Sequence, residues 1–117
     1  MMRELVHIKL LQKKRILELA FSDQTHFELP CEYLRVHSPS AETRGHSEAQ
    51  AVLQHGKKNI NIISIEPVGN YAIKLIFDDG HHTGIYSFDF LYELATRYTE
   101  NWQKYLEKLN LAGLTRE

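Results

Sequence analysis

Histidine is the chain's most conspicuous bias: there are seven in 117 residues, against a single cysteine, Cys31. Imidazole can act as a general base or proton shuttle, or as a ligand for first-row metals. A metal site needs three or four such donors converging, usually with carboxylates. The chain contains no His-x-x-x-His, His-Glu-x-x-His or Cys-x-x-Cys, so the candidates are loop residues. His37 and His46 bracket an irregular stretch, and His81-His82 falls at a hairpin turn. His37, His46 and His81 are therefore the candidates for a histidine-based zinc or iron site. The plainer reading makes these three and His82 solvent-exposed loop histidines, and His7, His26 and His55 surface or strand residues.

The other reactive side chains form no complete catalytic set. Cys31 follows Leu29-Pro30 and reads as a small buried hydrophobe, since a nucleophilic thiolate would need a cation beside it. Ser38 and Ser40 lack the Gly-x-Ser-x-Gly elbow. Gly69 and Gly80 are isolated turn glycines, which excludes a P-loop and a dinucleotide fingerprint. Asp78-Asp79 reads as a solvated turn pair. Arg35 and Arg44 flank Ser38-Pro39-Ser40, where a structural salt bridge is the expected use. Tyr98, Trp102 and Tyr105 recur at helical spacing and read as core. Nowhere do a nucleophile, a base and oxyanion donors come together.

The elements that position these residues follow from periodicity. Leu5–Leu11 and Ile16–Phe21 read as two strands across the polar break Gln12-Lys13-Lys14-Arg15, and His26-Phe27-Glu28-Leu29 as a short third. Pro30 suits the first turn of a short helix, Cys31 to Val36, that turns Tyr33 and Leu34 inward. From Ser38 to Lys58 the pattern dissolves, and only Ala51-Val52-Leu53 could pack. An irregular stretch of this length in a small domain is commonly functional. Ile60, Ile62 and Ile65 mark another strand, ended by Pro67-Val68-Gly69-Asn70. Tyr71, Ile73, Leu75 and Phe77 alternate with period two, Asp79-Gly80 is a hairpin turn, and Thr83 to Tyr86 returns. Ser87 is placed as an N-cap and Gly113 as a helix stop. Between them, Phe88 through Leu111 is amphipathic, as one helix or as two with a break near Thr99. A faint echo relates Phe21-Ser22-Asp23 and Tyr33-Leu34 to Phe77-Asp78-Asp79 and Phe90-Leu91. The expected fold class is α+β: a mostly antiparallel sheet built from hairpins and packed against the C-terminal helix or helices. Trp102 and Tyr105 are expected to close the core against Leu17, Leu19, Ile73 and Leu75.

Composition bounds the function. A chain of 117 residues, 43% hydrophobic and 25% charged, fits one folded domain spanning residues 1–117. A net charge of −1 argues against a nucleic-acid partner, which normally demands a basic excess. No apolar run approaches the ~18 residues of a membrane span. Met1-Met2-Arg3-Glu4-Leu5 lacks the apolar stretch of a secretory signal, so a cytoplasmic location is expected. One cysteine excludes an intramolecular disulfide.

Three stretches in combination carry a family resemblance. They are Tyr33-Leu34-Arg35-Val36-His37-Ser38-Pro39-Ser40-Ala41-Glu42, Pro67-Val68-Gly69-Asn70-Tyr71, and Asp79-Gly80-His81-His82-Thr83-Gly84-Ile85-Tyr86-Ser87. Together they resemble the gamma-butyrobetaine hydroxylase-like N-terminal domain over roughly Val6 to Leu94, as in its small stand-alone bacterial members of unknown function. In the oxygenase version, the resemblance implies a structural zinc held by three cysteines and one histidine. Those positions fall on Ser38, Ser40, Thr43 and His81, so one ligand of four remains and the inherited site is expected to be empty. The iron triad and 2-oxoglutarate site belong to a following oxygenase domain that lies outside the resemblance, so hydroxylase activity does not transfer. Members fused to a P-loop ATPase carrying iron–sulfur clusters imply a class of partner.

These readings combine into one expectation, a non-catalytic accessory module with no resident cofactor. It would bind a protein partner through the stretch from His37 to Lys58 or through a sheet face. The expected partner is an iron–sulfur assembly ATPase or an oxidoreductase. The alternatives are a zinc or iron protein using His81, His37 and His46, and a small enzyme using Cys31 or His81.

Overall fold

The computed structural model describes residues 4–39 and 53–117. Three antiparallel strands come first: β1 (Leu5–Leu11), β2 (Ile16–Phe21) and β3 (His26–Pro30), in that spatial order. Alternation decides which side each residue takes. Leu17 lies opposite Leu10 and Leu29, and Leu19 opposite Ile8 and Phe27. These rows face the core, while Lys9, Glu18 and Glu28 line up on the outer face. Pro30 closes β3 and caps the six-residue helix α1 (Cys31–Val36), whose Tyr33 and Leu34 are fully buried.

The second half repeats the plan. Strands β4 (Ile62–Val68), β5 (Ala72–Phe77) and β6 (Gly84–Ser87) form another antiparallel meander, followed at once by helix α2 (Phe88–Thr96). Ser87 Oγ accepts from Phe90 N at 3.1 Å, the expected N-cap bond. The weak echo in sequence thus corresponds to two strand–strand–strand–helix units. The hairpins divide between two three-stranded sheets, where the sequence suggested a single one. In each unit the chain enters a helix directly after its third strand and has no segment left to extend that sheet.

Helix α3 (Tyr98–Ala112) follows a break at Arg97, two residues before the expected one. Thr96 explains the position, because its hydroxyl bonds back to the carbonyls of Tyr92 and Glu93 and competes with the helical ladder. Gly113 stops the helix at φ +69°, in the left-handed region. One core cluster draws on both sheets and on α1 and α2, including Leu17, Leu19, Tyr33, Leu75, Tyr86 and Leu91. Tyr105 is buried and Trp102 half-buried, as expected. Trp102, however, stacks among Tyr33, Tyr98 and Tyr105.

The two units are joined at Asn61, just before β4. Its side-chain nitrogen donates to the Gln12 carbonyl in the β1–β2 turn at 3.0 Å. Its side-chain oxygen accepts from Ile62 N at 3.0 Å and faces Cys31 Sγ at 3.8 Å. Its backbone N–H and carbonyl bond the Asp78 side chain and N–H, respectively. Three segments distant in sequence, at Gln12, Cys31 and Asp78, therefore meet on one residue. Asn61→Ala is expected to cost about 1–3 kcal/mol in urea unfolding with the m-value unchanged.

Candidate functional site

The residues singled out for chemistry gather where the C-terminal end of α1 meets the β5–β6 turn. Ser38, 2% exposed, places Oγ 2.9 Å from Nε2 of His81, itself 7% exposed. His81 is therefore not the solvent-exposed loop residue expected. The β5–β6 turn folds its ring against Phe77 and under α1. Gly84 permits this approach, since a methyl there would sit 2.7 Å from Ser38 Oγ. Tyr86 lies against the same spot and donates to the Leu34 carbonyl at 2.6 Å. Burial pushes its phenol far above the ordinary range, so it stays protonated.

Arg35 and Asp79 lock the turn to α1. Arg35 Nε donates to Asp79 Oδ2 at 2.9 Å, Lys57 Nζ donates to the same oxygen at 2.7 Å, and His81 N–H donates to Oδ1 at 3.1 Å. The structural salt bridge expected of Arg35 is thus present. Asp79 is not the freely solvated carboxylate expected. Burial pushes its carboxyl up, but Lys57, the His81 N–H and Arg35 together outweigh that and hold it down at about 2. Arg35 is buried, and its Nη1 has no hydrogen-bond partner among the described residues.

The remaining candidates do not join this cluster. His37 caps α1, with Nδ1 2.9 Å from the Tyr33 carbonyl. Because a carbonyl only accepts, Nδ1 carries the proton. Burial lowers the His37 pKa, as does Lys108. The ring packs between Tyr33 and Tyr105. His82 is exposed and turned to the Gly80 carbonyl. His7, His26 and His55 are exposed, as read from the sequence. Cys31 is fully buried, and burial pushes its thiol up to about 11, Asp78 adding to the effect. Ser40, Thr43, Arg44, His46, Ala51 and Val52 lie outside the described residues. Among the described residues no three of His, Cys, Asp and Glu converge as a metal site.

The comparisons with known proteins bear on this cluster. A profile of the family described as gamma-butyrobetaine hydroxylase-like, N-terminal, matches residues 8–92. The chain belongs to this family. Among similar solved proteins is an NMR solution structure 46% identical, with a TM-score of 0.87, covering 100% of this chain and 92% of that one. Another NMR solution structure is 49% identical, with a TM-score of 0.86 and coverage of 99% and 86%. A crystal structure of a protein of unknown function from Acidithiobacillus ferrooxidans, in the DUF971 family, is 34% identical, with a TM-score of 0.66 and coverage of 79% and 92%. No curated protein matches.

Zinc is the group that the family resemblance implies, and the described half of the implied ligand set does not fit it. Ser38 offers a hydroxyl where a thiolate would be needed, and it spends that hydroxyl on His81. Gly84 and Tyr86 pack directly on Ser38. A hydroxyl on an imidazole is half of a nucleophile–base arrangement, but here it is closed in. The cleft of about 450 Å³ nearby is lined by Lys57, Lys58, Asn59, Asp78, Asp79 and Arg116 among others, and by neither Ser38 nor His81.

The sequence reading missed Glu32, Asn61 and Arg116. Glu32 is 5% exposed, and both its oxygens are taken by Arg116, from Nε at 2.9 Å and from Nη2 at 2.7 Å. The only sequence signal was an acidic residue in the first turn of a short helix, which is unremarkable by itself.

Two outcomes follow from these geometries. Asp79 has a folded value of about 2, below its ordinary 3.8. Its contribution is therefore present above about pH 4 and is lost as the pH falls towards 2. Urea unfolding between pH 5 and pH 2.5 is expected to lose on the order of 1 kcal/mol more in the native chain than in Asp79→Asn, allowing for solvent screening. Cys31, with a thiol near 11, carries about a thousandth of its population as thiolate at pH 8. Iodoacetamide is expected to label it no faster than the chain unfolds, and labelling within minutes under native conditions would contradict this burial.

Proposed function

We propose that this chain is a non-catalytic, cytosolic binding module that docks a protein partner, with an iron–sulfur assembly ATPase or an oxidoreductase as the partner class. One observation carries the reading: the reactive groups near the candidate site are committed to internal bonds. Ser38 holds His81, Arg35 and Lys57 hold Asp79, and Cys31 is buried and protonated. A fold that spends its histidine, serine and thiol on cohesion offers its surface for function rather than a reaction centre. Membership of a family whose solved relatives include a protein of unknown function fits this reading. The partner class rests on the resemblance to members fused to such an ATPase.

The outer face of the second sheet is the surface this module offers. Leu75, Phe77 and Tyr86 turn inward, so Lys74, Ile76 and Ile85 turn outward by strand alternation. Ile85 sits opposite Lys74, which sits opposite Glu66. Ile85 is 48% exposed and Ile63, at the irregularity in β4, is 57% exposed. Apolar groups set among a lysine and a glutamate make a surface that remains soluble alone and buries well on association. Among the described residues no helix is long and apolar enough to cross a membrane.

The test combines capture with metal analysis. The native chain is used to capture its partner from cytosol, beside an Ile85→Asp variant that leaves the inward residues untouched. The reading expects a captured ATPase or oxidoreductase containing iron, lost by at least about tenfold in the variant. Stoichiometric zinc or iron in the purified chain alone, removed by His81→Ala, would replace the docking reading with the metal-protein one. Turnover of a substrate by the isolated chain would replace it with an enzymatic one.

A further inference from the structure

The segment that follows α3 folds back across the molecule. Gly113 at φ +69° turns the chain, and Leu114 N donates to the Leu109 carbonyl at 2.9 Å, fixing the direction of return. The next residues lie extended beside Gly56–Lys58. Gly56 N donates to the Thr115 carbonyl at 3.0 Å, and Lys58 N to the Arg116 carbonyl at 2.9 Å. Arg116 then reaches inward to α1. Its guanidinium takes both oxygens of Glu32 in a two-pronged pairing, and its Cζ lies 5.2 Å from the centre of the Trp102 ring.

The burial is lopsided. Glu32 keeps 5% of its side-chain surface, whereas Arg116 keeps 38%. With Arg116 seated, the carboxylate is sealed from solvent, and the cation that seals it lies on the solvent side. The two-pronged geometry asks for a planar guanidinium, and the indole face favours the same group; a lysine ammonium matches neither as well. The backbone N–H groups of Gly56 and Lys58 ask for carbonyls of an extended chain. The resident segment leaves a cleft of about 450 Å³ beside it, lined by Lys57, Lys58, Asp78 and Asp79. An incoming segment could reproduce every bond the resident makes and fill that space as well.

We propose that Glu32 and Trp102 form an arginine socket, filled in the resting chain by Arg116, that accepts an arginine in an extended segment of a partner protein when Thr115–Glu117 is displaced. The resident segment acts as an internal placeholder, keeping the buried carboxylate paired until the partner arrives. Exchange of the same segment between two copies is disfavoured, because the turn held by Gly113 and the Leu114–Leu109 bond would have to straighten. The inference rests on the docking reading only for the existence of a partner. It is tested on the isolated chain, so its failure is separable from a failed capture.

The experiment titrates acetyl-Gly-Leu-Thr-Arg-Glu-amide into full-length Arg116→Ala, reading Trp102 fluorescence and calorimetric heat. Saturable binding is expected, at least about tenfold tighter than to the native chain, whose own arginine competes, and than for the same peptide with lysine. Glu32→Gln in the same background is expected to abolish it. Should the alanine variant unfold, Arg116→Lys keeps a charge on Glu32 and serves in its place. Binding to neither variant overturns the socket, as does equal binding of the lysine peptide. A concentration-dependent dimer of the native chain, lost in Glu32→Gln, would make a second copy the occupant and overturn the partner assignment.

Discussion

Helix α1 is six residues long, far too short to hold its conformation by propensity. It exists because every side of it is tied. Tyr33 donates from its hydroxyl to the Leu94 carbonyl at the end of α2, and it accepts from Asn101 of α3. The Leu34 carbonyl receives the Tyr86 hydroxyl from β6. Arg35 holds the β5–β6 turn through Asp79, and Glu32 holds the segment after α3 through Arg116. Four consecutive residues thus address five separate segments. Remove the helix, and the ties that run through it between the two units go with it.

That bracing is reciprocal between the two units. In the first, the turn after β2 carries Asp23, whose carboxylate receives the hydroxyl of Tyr92 on α2. In the second, the turn after β5 carries Asp79, which receives Arg35 of α1. Each unit's acidic turn therefore grips the other unit's helix. Neither three-stranded sheet buries both faces, and a strand–strand–strand–helix unit of roughly 30 residues is too small to bury a sufficient core alone. Crossed polar ties supply alignment, and the shared core of Leu17, Leu19, Leu75 and Leu91 supplies the driving force.

Much of this frame was legible in residue order. Period-two alternation from Tyr71 to Phe77, the Asp79-Gly80 turn, the Ser87 cap and the Gly113 stop all act locally, so a linear reading finds them. The division into two sheets was not legible, because it depends on which strands meet after the helices intervene. A break near Thr99 was legible too, and its position at Arg97 goes with the back-bonding of Thr96, which spacing does not reveal. His81 read as exposed because turns usually are. Its burial comes from α1 closing over the turn, a contact between residues 43 apart in sequence. Glu32 and Arg116 are 84 apart and carry no motif, so nothing short of the folded chain joins them.

The Ser38–His81 contact shows how one location can serve different chemistry within one architecture. The family resemblance assigns those two positions to metal ligands, and here a hydroxyl and an imidazole bond directly. A structural ion would anchor the stretch after α1 to the β5–β6 turn with a large free energy, whereas one hydrogen bond contributes about 1 kcal/mol net. The same junction is secured by other means. Arg35 and Lys57 converge on Asp79, Tyr86 reaches the Leu34 carbonyl, and Gly84 allows Ser38 to sit at close range. Several modest bonds distributed over neighbouring atoms hold together what a single strong centre could hold. A junction built this way depends on the charge of Asp79, which its cationic neighbours keep ionised down to strongly acidic conditions.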